Sequence, residues 1–275
     1  MNKKLIDKVA NYHMAVRHRK YRKNFGGGIQ FIPLHNTCHR ILLPGIRLLR
    51  KLRGQKLIVV GDKRAKESSK AIYACTHIGD YDVENLFEAI ISPCYLFMDD
   101  PREMYLNFDG ILLRLNGVIW FEKSNKLDRK IAKERAISLL KTGGSLMIFP
   151  EGAYNVYESL PVMPLFWGTA DMAIQSRTPI VPIAIEKYEK NFYVNVGKTI
   201  EVDTFSDMDR SSLTELLQDE LATLKWEIWE KQGSYKRAEL SDSRESFLSS
   251  VFCDKNRSYT VEDAVRNRFY PKSLQ

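Results

Sequence analysis

A histidine and an aspartate stand five positions apart in the segment His77-Ile-Gly-Asp-Tyr-Asp82, directly after an apolar run at residues 71–75. A neighbouring carboxylate orients an imidazole ring and stabilises its charged form, so that the ring can take a proton from a hydroxyl group. The pair therefore indicates a general base at the end of a strand. Because this spacing also recurs by chance, the alternative interpretation is a capped helix start with a surface histidine.

Two other candidate residues also follow predicted strands. Lys123 comes after the apolar run at 117–121, and Glu151 lies in Phe149-Pro-Glu-Gly152 after a run at 145–149. Ligands of α/β proteins bind at the strand ends of the sheet, so residues placed in this way can form one site from separate segments. Each residue also has a plainer interpretation, because Pro-x-Gly is ordinary turn chemistry and a lysine is most often solvated.

The elements that would carry these residues alternate between strands and helices, which is typical of an α/β domain. The predicted strands are 57–60, 71–75, 117–121, 145–149, 179–185 and 192–196. The predicted helices are 83–91, 125–140 and 213–228, with a further short helix near 260–269. We expect a central mixed, largely parallel sheet flanked by helices, with a basic helical N-terminal arm. Asp82 is expected near a helix start, where a carboxylate faces the helix N-terminus.

The charge distribution divides the chain into three parts. Residues 1–56 carry fourteen Lys and Arg and one acid, whereas the rest of the chain carries 28 basic and 33 acidic side chains. We therefore predict a basic, partly amphipathic arm at 1–56, an α/β domain at 57–233 and a polar extension at 234–275. A basic arm is attracted to phosphate-rich surfaces, either nucleic acid or anionic lipid headgroups.

The arm is predicted to contain helices at 1–24 and 34–53, the second interrupted near Pro44-Gly45, with a glycine hinge at 26–28. On the second helix, apolar and basic side chains are expected on opposite sides: Ile46, Leu48, Leu49 and Leu52 against Arg47, Arg50 and Lys51. Such a helix suits a membrane interface, or it packs its leucines on the domain and leaves its basic face in solvent. Its leucine content and the lack of a nucleic-acid-binding motif favour an anionic membrane surface over nucleic acid.

Composition indicates an ordinary globular protein, with 44% hydrophobic and 28% charged residues. The apolar runs are far shorter than the roughly 20 residues that a membrane-spanning helix needs. The basic start of the chain is not followed by a long apolar segment, so no secretory signal is predicted. Four scattered cysteines argue against a disulfide framework or a zinc site and for a reducing compartment. We expect a cytoplasmic protein that associates peripherally with a membrane.

Four blocks, taken in order, resemble the glycerolipid acyltransferases, the family of lysophosphatidate and glycerol-3-phosphate acyltransferases. The blocks are the His-x4-Asp segment at 77–82, Gly-Val-Ile-Trp-Phe-Glu-Lys at 117–123, Phe-Pro-Glu-Gly at 149–152 and Pro-Ile-Val-Pro-Ile at 179–183. One block would carry little weight, whereas four in the family's order make a specific resemblance. The resemblance extends over roughly residues 57–200 and leaves out the arm and the extension.

The resemblance implies transfer of a fatty acyl group from an acyl thioester, either acyl-CoA or acyl-carrier protein, to the hydroxyl of a lysophospholipid-like or related lipid. His77 would be the general base and Asp82 its orienting partner, while the fourth block would help to form the donor side. The acceptor would be bound by the remaining candidates: Lys123 at a phosphate, together with Phe149, Pro150, Glu151 and Gly152. Because a thioester is already activated, no metal or other cofactor is expected beside the two substrates.

The chain departs from the family pattern where a phosphate would be bound. Lys123 stands where arginine is usual, and a lysine cannot form the two-pronged hydrogen bonds of a guanidinium. Tyr154 replaces a second arginine, and Leu165-Phe-Trp-Gly168 replaces a segment that commonly contains lysine. We therefore expect an acceptor with a different or less anionic headgroup. The alternative is a catalytically silent protein of the same fold that binds lipids or acyl chains.

Overall fold

The computed structural model describes residues 3–24, 31–62, 65, 70–99, 104, 107–157, 160–205, 209–232 and 250–252. Across these residues, strands and helices alternate along most of the chain. The helices are α1 (Lys3–Asn24), α2 (Ile32–Leu52), α3 (Asp82–Ala89), α4 (Phe108–Asn116), α5 (Lys126–Lys141), α6 (Gly168–Ser176) and α7 (Arg210–Gln232). The strands are β1 (Lys56–Val59), β2 (Ile72–Cys75), β3 (Tyr95–Asp99), β4 (Val118–Phe121), β5 (Leu146–Ile148), β6 (Ile180–Tyr188) and β7 (Asn191–Val196).

The seven strands of the described residues form one sheet in the order β1-β7-β6-β2-β5-β3-β4. Every neighbouring pair is parallel except β6 and β7, which pair antiparallel as a hairpin. The predicted mixed, largely parallel sheet flanked by helices is therefore confirmed. Because β2, β5, β3 and β4 all run the same way, the segments that follow them meet at one edge of the sheet.

Helices cover both faces of the sheet, and alternate residues of a strand supply the two halves of the core. In β2, Ile72 and Ala74 belong to one apolar cluster, whereas Tyr73 and Cys75 belong to the cluster on the opposite face. All four side chains are fully buried. Because β2 is buried on both faces, its orientation is fixed, and so is the position of the residues that follow Cys75.

Most predicted elements are present, and three were missed. The structure adds β3, α4 and α6 to the predicted set. β3 has five residues and ends at a charged one, Asp99, and α4 and α6 have only nine residues each. The predicted helix near 260–269 and the glycine hinge at 26–28 lie outside the described residues.

α2 is continuous, so the predicted interruption near Pro44-Gly45 is wrong. Proline removes one hydrogen bond from a helix, but the buried side of α2 holds the helix to the domain through His39, Leu43 and Arg50. Arg50 is clamped by Glu88 of α3, with Nε and Nη2 donating to the carboxylate oxygens at 2.9 and 3.0 Å. These contacts along the helix offset the loss at Pro44.

The exposed face of α2 carries its leucines, so the alternative in which the leucine face packs on the domain is wrong. Leu48, Leu49 and Leu52 are exposed, whereas Arg50 is buried. The sequence pattern did not predict the burial of Arg50, because its partner Glu88 lies 38 residues away on another helix. Of the predicted leucine face, Ile46 alone packs partly against the core.

α1 is joined to the start of α5 by a buried carboxylate. Asp128 accepts hydrogen bonds from Arg17 Nη2 at 2.8 Å and from His18 Nε2 at 2.9 Å, when that nitrogen carries a proton. Asp128 Oδ2 also accepts the Glu122 N–H at 2.7 Å, and the Asn125 side chain caps the Asp128 N–H. The basic arm is thus attached directly to the turn that contains Lys123.

Among the described helices, the structure contains none that is both long and apolar enough to cross a membrane.

Candidate active site

The His77–Asp82 pair lies in the turn between β2 and α3. β2 ends at Cys75, and α3 begins at Asp82 itself. Asp82 Oδ2 contacts His77 Nδ1 at 2.7 Å and accepts the main-chain N–H groups of Ile78 at 2.6 Å and Gly79 at 2.9 Å. The Asp82 side chain is fully buried. One carboxylate therefore closes the turn and orients the imidazole.

The contact with Asp82 determines which ring nitrogen is left for chemistry. When Nδ1 carries the proton and donates it to Asp82, Nε2 keeps its lone pair and can accept a proton from a substrate. The ring is held between two aromatic side chains, with Phe149 stacked at 3.8 Å between centroids and Tyr154 tilted at 4.3 Å. The His77 side chain is 17% exposed, so part of it is accessible to solvent.

The Glu151 side chain holds two main-chain segments of the site together. Its carboxylate is fully buried, and Oε1 accepts the His77 N–H at 3.1 Å while Oε2 accepts the Met163 N–H at 2.8 Å. This side chain couples the end of β2 to the loop that follows β5. Its geometry is that of a positioning group, because both oxygens face main-chain donors.

The turn at 149–152 follows β5, the neighbour of β2 in the sheet. The Gly152 N–H donates to the Phe149 carbonyl at 3.1 Å, and the carbonyl of the buried Pro150 accepts the Phe166 N–H at 3.0 Å. Gly152 has φ 69°, and a Cβ there would lie 2.5 Å from the Phe166 ring. Glycine is therefore required both by the backbone conformation and by the close approach of Phe166.

Lys123 lies at the same edge of the sheet but apart from His77. It follows β4, the edge strand, and two strands separate β4 from β2. With about 4.8 Å between neighbouring strands, the strand axes are about 14 Å apart. Lys123 Nζ instead contacts Asp99 Oδ2 at 3.2 Å, and the main-chain N–H of Lys123 donates to Asp99 Oδ1 at 3.2 Å. Partial burial raises the pKa of the Asp99 carboxyl, and Lys123 opposes that rise.

Three residues beside the proton-transfer pair were not assigned a role from sequence. The Tyr154 hydroxyl donates to Asp80 Oδ1 at 2.7 Å, and the Tyr154 ring also packs on Phe252 at 5.2 Å between centroids. Asp80 lies inside the His-x4-Asp block, and Tyr154 had been singled out as a departure from the family pattern. Nothing in the sequence places Phe252 here, because it belongs to the predicted polar extension.

Cys75, two positions before His77, is not a nucleophile, and no clustered metal site is present among the residues that the structure describes. Burial raises the pKa of the Cys75 thiol well above its usual range, so the reactive thiolate is not formed near neutral pH. No group of three or more His, Cys, Asp or Glu side chains in those residues is arranged to hold a metal ion. When Nδ1 donates to Asp82, Nε2 of His77 is left as a basic nitrogen at this edge of the sheet.

Comparison with known proteins agrees with this geometry. Residues 56–186 match the acyltransferase family model, a span that contains all four sequence blocks. This span is just under half of the 275-residue chain, and together with the relatives described next it supports a glycerolipid acyltransferase family. Its enzyme class is that of an O-acyltransferase.

The relatives differ in how much of their length is matched. The chain is 25% identical to a 1-acyl-sn-glycerol-3-phosphate acyltransferase of Borreliella burgdorferi, over 62% of this chain and 72% of that protein. It is 26% identical to the human 1-acyl-sn-glycerol-3-phosphate acyltransferase alpha, over 53% of this chain and half of that protein. The crystal structure of the 1-acyl-sn-glycerophosphate acyltransferase PlsC from Thermotoga maritima has the same fold. It aligns with a TM-score of 0.56 and 14% identity, over 86% of this chain and all of that one.

Proposed function

We propose that this protein transfers a fatty acyl group from an acyl thioester to the hydroxyl of a lysophospholipid-like lipid, with His77 as the general base. The observation that carries the proposal is the contact between His77 Nδ1 and the buried Asp82, which leaves Nε2 as the proton acceptor. The relatives are named as 1-acyl-sn-glycerol-3-phosphate acyltransferases, which supports a lysolipid as the class of acceptor, while the headgroup is inferred from this chain's own residues. Either acyl-CoA or acyl-carrier protein meets the requirement for a donor.

The reaction would proceed by direct transfer. His77 Nε2 takes the hydroxyl proton as the acceptor oxygen attacks the thioester carbonyl carbon, and a tetrahedral oxyanion forms. Asp82 stabilises the resulting imidazolium through Nδ1–H. The oxyanion then collapses, the carbon–sulfur bond breaks, and the imidazolium returns its proton to the departing thiolate. The products are the acylated lipid and a free thiol.

The surroundings of His77 favour an acceptor that carries little negative charge close to the reacting hydroxyl. The side chains beside the imidazole are aromatic or acidic: Phe149, Tyr154 and, through the Tyr154 hydroxyl, Asp80. Lys123 lies about three strand spacings away and is paired with Asp99. A phosphate of the acceptor that lies close to the attacking hydroxyl would therefore meet a carboxylate before it met a cation.

The outer face of α2 supports attachment to an anionic membrane surface. Four exposed apolar side chains repeat at intervals of seven, seven and four residues and so share one side of the helix: Leu34, Ile41, Leu48 and Leu52. One position before three of them lie the exposed basic residues Arg40, Arg47 and Lys51. Adjacent apolar and basic stripes are typical of helices that lie in a bilayer interface.

α4 extends the apolar surface next to α2. Its exposed side chains Phe108, Ile111 and Leu115 are spaced by three and four residues. His35 of α2 contacts the Leu115 carbonyl at 2.9 Å, so the two helices are joined. A site at the lipid surface gives an amphipathic acceptor a short path to the enzyme.

The proposed reaction is tested with a labelled acyl donor and a mixture of acceptors, followed by mass spectrometry of the lipids. We expect acyl transfer to at least one lysolipid, and we expect lysophosphatidate to be used less well than an acceptor with a neutral or zwitterionic headgroup. A clear preference for lysophosphatidate would refute the headgroup assignment. Equal lipid binding without transfer, in wild type and H77A alike, would instead show a silent lipid-binding protein. Parallel reactions with acyl-CoA and acyl-carrier protein identify the donor.

Membrane attachment is tested by sedimentation with vesicles of anionic or zwitterionic lipid. We expect the paired substitution Ile41→Ser and Leu48→Ser to weaken binding to anionic vesicles at least about tenfold, because two apolar side chains no longer enter the interface. L216S, on the exposed surface of α7, is the matched control and should bind like wild type. Unchanged binding of the paired variant would exclude α2 as the attachment surface.

A further inference from the structure

Residues 250–252, here named the C-terminal segment, lie beside the His77 motif although they follow the end of the family match at residue 186 by more than sixty positions. Val251 is fully buried and Phe252 is 3% exposed. Both belong to the apolar cluster that also contains Ile78 and Ala153, the neighbours of the two site turns. A part of the predicted polar extension is thus integrated into the core next to the site.

The C-terminal segment first contacts the turn that holds the general base. The Asp80 N–H donates to the Val251 carbonyl at 3.0 Å. Gly79 faces the same carbonyl so closely that a Cβ at this position would overlap it. Gly79 also donates its N–H to Asp82. The segment and the His-x4-Asp turn are therefore fitted to each other at the level of the main chain.

The second contact runs through aromatic side chains. The Phe252 ring meets the Tyr154 ring edge to face, with 5.2 Å between centroids. Tyr154 in turn packs against His77 at 4.3 Å and donates its hydroxyl to Asp80 at 2.7 Å. Phe252 thus packs against a side chain that contacts both the His77 imidazole and the Asp80 carboxylate.

We propose that the C-terminal segment positions the acceptor side of the site and thereby determines which headgroup is accepted. By holding Tyr154 and Asp80 against His77, it presents a phenol and a carboxylate to the incoming alcohol and disfavours a phosphate monoester. The inference rests on the proposed acyl transfer, and it goes further by assigning selectivity to residues outside the family domain. Val251 and Phe252 are positioning residues, since they act through Asp80 and Tyr154.

The test compares F252A with wild type in two measurements. In the first, the selectivity ratio is measured as kcat/KM for lysophosphatidate divided by kcat/KM for a monoacylglycerol. We expect this ratio to rise on the order of tenfold in F252A, because a released Tyr154 no longer holds Asp80 in front of the acceptor. Y154A should show a similar rise, and F252A in the Y154A background should add little.

The second measurement does not depend on activity. The protein has five histidines, and the imidazole signal of His77 is assigned by its loss in H77Q. Because aromatic rings shift the resonances of groups stacked on them, F252A should move the His77 signal in the same direction as Y154A. I228A removes a fully buried side chain from a separate cluster on α7 and is the control for general loosening. It should change neither the signal nor the selectivity ratio.

The outcomes separate this inference from the proposed function. A moved His77 signal without acyl transfer by wild type to any acceptor would sustain the positioning role and refute the acyl-transfer proposal. Active wild type with an unchanged ratio and an unchanged signal in F252A would overturn the positioning role alone. If F252A does not fold, F252L retains most of the volume without the ring and provides the same comparison.

Discussion

The two ends of the candidate site are built in opposite ways. Around His77, the Asp82 and Glu151 carboxylates are fully buried, and they accept hydrogen bonds from the main-chain N–H groups of Ile78 and His77, respectively. Around Lys123, the side chain is 41% exposed and its partner Asp99 is similarly exposed. Buried, multiply bonded groups hold a fixed geometry, whereas an exposed ion pair contributes little and rearranges readily. The difference indicates a rigid geometry around His77 and a looser one around Lys123, and the proposed proton transfer needs only the rigid end.

The largest effect expected from this contrast is on the general base. H77A removes the proton acceptor and should lower kcat about 10²- to 10⁴-fold, with little change in the melting temperature. Steady-state kinetics and thermal unfolding of the same preparations measure both quantities. A variant that retained wild-type kcat would show that the rigid end is structural and not catalytic.

Glu151 should give the next largest effect. In E151Q, the amide replaces one acceptor oxygen by a donor that faces either the His77 or the Met163 N–H. We expect a loss of roughly 1–3 kcal/mol in the free energy of unfolding, because a buried donor is left unpaired. A fall in kcat of about tenfold or more should accompany it, since the His77 main chain shifts. Chemical denaturation and kinetics test this, and a variant equal to wild type in both would argue against the positioning role.

A smaller effect is expected at the edge of the rigid end. G152A places a Cβ close to the Phe166 ring and requires an L-residue at φ 69°. The expected loss is about 1–2 kcal/mol in unfolding free energy, with a several-fold reduction in kcat because the turn carries Phe149 and Glu151. G143A, which also has positive φ but no heavy atom near its Cβ, separates the two causes. Similar activity losses in both variants would contradict a special fit at Gly152.

Lys123 should give the smallest effect. K123M removes a half-exposed ammonium that is paired with Asp99 and separated from His77 by two strands. We expect less than about threefold change in kcat and unfolding free energy changed by no more than about 1 kcal/mol. A drop of a hundredfold or more with every acceptor would show that the far end takes part in binding, and the contrast between the two ends would then fail.

The features that could be predicted from the sequence are those encoded by contiguous residues. β2 and β5 are short apolar runs that end in recognisable motifs, and α3 begins at the predicted carboxylate Asp82. The placement of Lys123 could not be predicted in the same way. Its distance from His77 depends on β5 and β3 lying between the two strands, and strand order is decided by packing across the whole sheet.

Two further features depend on partners that are distant in sequence. The buried side of α2 is set by Arg50 and Glu88, because a paired arginine is buried where an unpaired one would stay in water. The contact of Phe252 with Tyr154 joins residues about a hundred positions apart. Local periodicity shows neither contact, so it placed Arg50 on the solvated basic side of α2 and gave Phe252 no role.

The pairing of β1 has a consequence for the order of events during synthesis. Lys56 of β1 pairs with Asn191 of β7, so the strand next to the N-terminal helices gains its partner only after nearly the whole sheet has been made. α2 and its outward stripe leave the ribosome long before that point. Chains fold from their N-terminus as they emerge, and sheets with distant pairings close late. If α2 binds a membrane as proposed, the nascent chain would meet the bilayer before β7 is made and β1 gains its partner.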